Sequence, residues 1–176
     1  MSMDAFISFL VFCQALGALV GACTAIWSEL AYVRALRDGR VDSAERAHLH
    51  VIARGLRFGM TLLLLASLGL IIMAYLLSSP QPALTPSYWT LIALALLIIS
   101  VSWALSRKHI PFALGSASVF TAWWFLVYLS FGWIPPMSFG AAVMSFIVAT
   151  AIFYAVFHYA RLLVLDSTMK HRLRKK

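Results

Sequence analysis

Residues 58–77 read FGMTLLLLASLGLIIMAYLL, twenty consecutive positions without a charge, in which Thr61, Ser67 and Tyr75 carry the only hydroxyls. As an α-helix at 1.5 Å per residue this stretch is ~30 Å long, the thickness of a bilayer's hydrocarbon core. It shows no alternation of period two and is about twice the length of a barrel strand, so a transmembrane strand is excluded. Four more apolar segments follow the same rule, at 5–26, 88–105, 112–131 and 139–163. Between them lie Pro80, Pro82 and Pro86, then Arg107 to Pro111, then Pro135-Pro136, all turn signals. The chain is 62% hydrophobic and 11% charged, against about 25% charged in a soluble domain. The expected fold is all-α: a polytopic membrane protein built as a bundle of five transmembrane helices. Its domain covers 1–165, with spans near 5–36, 51–77, 87–106, 112–131 and 138–163, and a basic cytosolic tail follows at 166–176.

The charges orient this bundle. A net charge of +8 and a pI near 10 would suggest nucleic-acid binding in a soluble protein, so the positions of the charges decide. All fourteen basic residues fall in the first and third connections or beside and beyond the last span. Five acids share that side, leaving it nine positive, whereas Asp4 alone lies opposite. Positive loops stay in the cytoplasm, so the N-terminus is expected outside and the C-terminus in the cytoplasm of a cell membrane, a bacterial inner membrane in particular. The basicity is read as topology rather than nucleic-acid binding. The run at 170–176 additionally suits anionic lipid headgroups. Met-Ser-Met-Asp does not begin like a signal peptide, so the first helix is expected to be retained. Cys13 and Cys23 sit ten residues apart on one helix, ~15 Å along its axis, too far to bridge.

Helical pattern outruns the first apolar segment. No breaker appears from Trp27 to Arg37, and Gly39 reads as the stop. Asp42-Ser43-Ala44-Glu45 then reads as a capping box that starts the second helix. Each of the two helices would be about 50 Å long, so the pair is expected to extend into the cytosol as a helical hairpin.

Inside the spans, Ala15, Ala18, Ala22, Ala25 and Glu29 are spaced 3, 4, 3, 4, a heptad seam of small residues ending in a carboxylate. Gly17 and Gly21 form a GxxxG pair, as do Gly55 and Gly59. Such pairs serve either a homo-oligomer or packing within one chain, and the second use is expected. Glu29, Arg54, Arg57, His158 and Arg161 reach similar depth at the inner boundary and form the candidate polar cluster. Arg57, His158 and Arg161 are the cations expected nearest Glu29. Ionisable groups at such depth are costly and face protein, water or function more often than lipid. No charged residue lies at the centre of a span.

Little chemistry is encoded. Two histidines at one depth could hold a haem, and only His109 with His158 approaches this. His48 and His50 project about 200° apart on a helix and cannot readily share a metal. No nucleotide loop, HExxH or GxSxG motif occurs. Trp123 and Trp124 lie deep enough to stack on a planar ligand, with core packing the simpler reading. No catalytic residue, metal or cofactor is therefore expected. The expected partners are the bilayer and either a second copy or a larger membrane complex. The expected function is a non-enzymatic transport or permeation component or an accessory subunit. The alternative is a membrane redox protein binding haem or quinone.

Overall fold

The computed structural model describes residues 3–37, 50–135 and 137–173. They form five long helices: α1 (Met3–Arg37), α2 (His50–Leu76), α3 (Pro86–Ser106), α4 (Phe112–Ser130) and α5 (Phe139–Leu173). One short 3-10 turn, Pro82–Leu84, interrupts the α2–α3 connection, and no strand occurs among the described residues. By length and composition all five helices can cross a membrane, over Met3–Arg34, His50–Leu76, Pro86–Ser106, Phe112–Ser130 and Phe139–Val164. These segments lie within a few residues of the spans expected from hydropathy. The proposed hairpin tip, with the Gly39 stop and the Asp42–Glu45 capping box, lies outside the described residues. α5 continues helically to Leu173, past the apolar boundary and through most of the segment expected as a tail.

The helix ends follow from local chemistry. α3 starts where the Thr85 hydroxyl accepts from the Tyr88 amide at 3.3 Å and Pro86 supplies a preset φ without needing a hydrogen bond. α2, α3 and α4 stop in one way, with a left-handed residue just past the helix: Ser78, Lys108 and Gly132. The next amide then reaches back to the last turn, from Ser79, His109 and Trp133 to the carbonyls of Ala74, Ala104 and Tyr128 at 2.9–3.0 Å. This is the Schellman geometry, and only Gly132 adopts it without a Cβ penalty.

α4 is the hub. It packs on α1, α3 and α5, while α2 packs mainly on α1. Half of the most apolar stretch of α4 is buried, against 11% of that of α5. The centre is filled by Leu63, Ile98, Val119, Leu126 and Trp123, and the alanine seam of α1 faces it, with Ala18 and Ala22 wholly buried. Alanines here let α1 approach α4 closely, because a larger residue would hold the helix axes apart.

α1 and α2 come closer still. A Cβ on Gly17 would lie 2.7 Å from the Leu63 amide nitrogen and 2.8 Å from the Gly59 carbonyl oxygen. A Cβ on Gly59 would in turn lie 2.8 Å from the Gly17 oxygen. Gly55 meets the side chain of Thr24, and the ring of Trp123 from α4 occupies the space above Gly21. Both glycine pairs are thus occupied by contacts within one chain. Around Gly59 the helix widens into a π turn, Leu56–Met60, a deviation that hydrophobic periodicity does not signal.

Candidate functional site

Three helices each contribute two residues to one cluster at the end of the bundle where α1 and α5 finish and α4 begins. Glu29 and Tyr32 are three apart on α1, Phe112 and Ser116 four apart on α4, and Phe157 and Arg161 four apart on α5. Those spacings place both members of each pair on one helix face. The Arg161 side chain is 9% exposed and that of Glu29 13%, and Arg161 Nη2 lies 2.8 Å from Glu29 Oε2. The same nitrogen donates to Ser116 Oγ at 2.8 Å, and that hydroxyl donates to the Ala113 carbonyl at 3.2 Å, which fixes its orientation. Tyr32 and Phe112 stack at 4.6 Å, and the guanidinium lies 4.6 Å from the first ring and 5.3 Å from the second. Phe157 approaches it at 5.8 Å. Two charge-assisted hydrogen bonds and three ring faces offset the desolvation of the arginine, which for a buried ion is several kcal/mol. Arg161 Nε, also buried, has no hydrogen-bond partner among the described residues.

Of the five residues expected in the inner cluster, the structure joins Glu29 with Arg161 and leaves the others apart. Arg57 and Arg54 are exposed, and Arg54 Nη2 lies 3.5 Å from His50 Nδ1 on its own helix. The reason is azimuth: α2 turns its glycine face to α1, so Arg57, two positions from Gly59, points away. His158 is likewise exposed, its ring parallel to that of Tyr154 at 6.0 Å. Depth along the helix axis was readable in the sequence and direction around it was not. Tyr32, Phe112, Ser116 and Phe157 are members of the cluster that the sequence does not mark, although Tyr32 continues the 3, 4 spacing of the alanine seam beyond Glu29.

Beside the ion pair lies a partly open crevice of about 290 Å³, walled by Ile26, Glu29 and Leu30 of α1, Phe120 of α4, and Phe157 and Arg161 of α5. Apart from the ion pair its lining is apolar. At the opposite end of the bundle a smaller cavity of about 170 Å³ is lined by Gln14, Ser67, Thr85, Tyr88 and Ser130 among others. Gln14 Nε2 donates there to Ser67 Oγ at 3.1 Å.

The remaining candidates fall into ordinary surroundings. Trp123 is a core residue, 1% exposed, and Trp124 is half-buried beside Phe120 and Tyr128. His109 is exposed against Trp103, with ring centroids 5.8 Å apart. Among the described residues no group of three or more histidine, cysteine or acidic side chains is placed to hold a metal. No protein-family model, curated protein or solved structure matches this chain.

Proposed function

We propose that the chain is an integral membrane protein of five spans, with its N-terminus outside and its C-terminus and first connection cytoplasmic, that serves as a non-enzymatic accessory subunit of a membrane complex. One observation supports the subunit reading above that of a permeation component. α5 is the least buried helix over its apolar stretch, and a buried ion pair to α1 adds to its contacts with α4 in fixing its rotation. A buried pair is weak evidence for stability, and its best-attested use is to specify register. A peripheral apolar helix dissolves equally well in lipid in any rotational setting. Fixing one setting gains something only where the outer face of α5, with Val148, Ile152 and Tyr159, meets a partner of definite shape. The packed centre, with Trp123 seated on Gly21 and α1 in backbone contact with α2, supports a rigid component over one that slides to carry a solute.

Photo-crosslinking in native membranes tests this reading. A crosslinker at Val148 or Ile152 is expected to give one discrete protein adduct, and the same group at Leu65 of α2 or Leu96 of α3 is not. Adducts with lipid alone from all four positions would remove the subunit reading. The rival redox reading has its own signature: purified protein with a Soret band that shifts on dithionite reduction.

A further inference from the structure

The shape and polarity of the crevice beside Arg161 select a ligand. Its volume, about 290 Å³, is roughly twice the ~150 Å³ of an apolar cavity able to hold benzene, so it admits a chain or several joined groups. Ile26, Leu30 and Val33 form one wall, Phe120 the floor and Phe157 and Ala160 the other wall. Polarity enters at one place, where Glu29 and Arg161 meet. An occupant must therefore be apolar along most of its length and polar at one point.

Charge narrows the class further. Arg161 is already neutralised by Glu29 at 2.8 Å, so a second anion buried at this point would face the carboxylate across a low-dielectric gap. An uncharged acceptor meets no such opposition. Arg161 lines the crevice, and both of its hydrogen bonds leave from Nη2, so other N–H groups of the guanidinium remain for a carbonyl oxygen. A quinone carries two carbonyls on opposite edges of its ring, and the crevice offers a second donor nowhere in its apolar walls.

From these observations we infer that the crevice is a binding site for one acyl chain of a glycerolipid, whose ester carbonyl accepts from Arg161. The inference rests on the membrane-inserted reading above. The chain lies between α1 and α5, over Phe120, and seals the gap that their separation leaves. The lipid thus belongs to the packing of α5 on the bundle.

The test uses the full chain in phospholipid vesicles containing a trace of phosphatidylcholine with a photoactivatable acyl chain. Flotation with the vesicles reports insertion, and a chain that does not float defeats the membrane reading before the crevice is examined. In floating protein, label is expected on peptides carrying Leu30, Phe120 and Phe157 in excess over those carrying Leu65 or Leu96, which are exposed on other faces. Leu30→Trp fills the crevice without touching the ion pair, and should reduce labelling at Phe120 and Phe157 to the level of those outer positions. Arg161→Lys, which keeps the charge but loses the guanidinium N–H groups left over from the contacts to Glu29 and Ser116, should reduce it by roughly tenfold, the worth of one hydrogen bond to a charged donor. Even labelling of all lipid-facing positions would overturn the inference, as would label that Leu30→Trp leaves unchanged. Displacement of the label by a short-chain quinone and not by excess diacylglycerol would also overturn it, in favour of a quinone site.

Discussion

Arg161 is the residue on which most of the unusual energetics converges. Its guanidinium is held by Glu29 and Ser116 and ringed by Tyr32, Phe112 and Phe157, so removing it exposes several groups at once. Glu29→Ala and Arg161→Ala should each lower stability by about 3 kcal/mol, because each leaves the opposite charge buried without compensation. The double variant should lose less than the sum, which thermal unfolding in detergent would read. Strictly additive losses would show that the two side chains do not depend on each other. The same cycle on Glu29 with Arg57, one of the three cations that depth alone suggests, should be additive, since Arg57 is exposed on a face of α2 turned away from α1. Ser116→Ala removes a neutral acceptor and should cost less, about 1 kcal/mol. The contrast among the three cations marks where sequence reading stops. A 3.6-residue repeat gives every side chain a depth, but its direction depends on which face of its helix meets a neighbour, and for Arg57 that is decided by the glycines of α2 against those of α1.

At the scale of the helices, the contact between α1 and α2 is set by what glycine lacks. Gly17→Ala and Gly59→Ala each put a methyl group within 2.8 Å of backbone atoms that cannot rotate aside, so the helices must part. Each should be destabilised by about 1–3 kcal/mol, the usual cost of overpacking, with unfolding in detergent as the measurement. Gly140→Ala on α5 is the control: a Cβ there meets nothing within 4 Å, and the change should stay within about 0.5 kcal/mol. Equal effects at all three positions would mean that α1 and α2 do not touch as described. The long apolar helices themselves were legible because twenty uncharged residues and a proline boundary admit few alternatives. The π turn at Leu56–Met60 was not legible, since hydropathy reads it as ordinary helix, and neither was the run of α5 to Leu173, since hydropathy marks where a helix stops being apolar and not where it ends. The alanine seam is visible in the sequence as a face, but nothing in its spacing names α4 as the helix that it meets.

For the molecule as a whole, the bundle has two unlike ends. At one, Thr24 meets Gly55, Glu29 meets Arg161 and Tyr32 stacks on Phe112, so the end of α1, the start of α2, the start of α4 and the end of α5 lie together. Arg34, Arg54, Arg57, Arg107, Lys108 and Arg161 all belong to that end, and Arg34 and Arg107 lie over Trp27 and Trp103 at 6.0 and 5.8 Å. At the other, Gln14, Ser67, Tyr88 and Ser130 gather around an uncharged cavity. Basic loops near span ends are retained in the cytoplasm, and acidic residues contribute little to that choice, so an end carrying these cations should face inward whatever the acids beside it. A cytosolic fluorescent reporter fused after Lys176 should therefore be active and a periplasmic phosphatase fused there inactive. Within residues 79–87, between α2 and α3, the two reporters should exchange their behaviour. An odd number of spans requires this opposition. Phosphatase activity at both positions would place them on one side, and one of the five helices would then lie outside the bilayer; α4, the most enclosed of them, is the one able to survive inside protein rather than lipid.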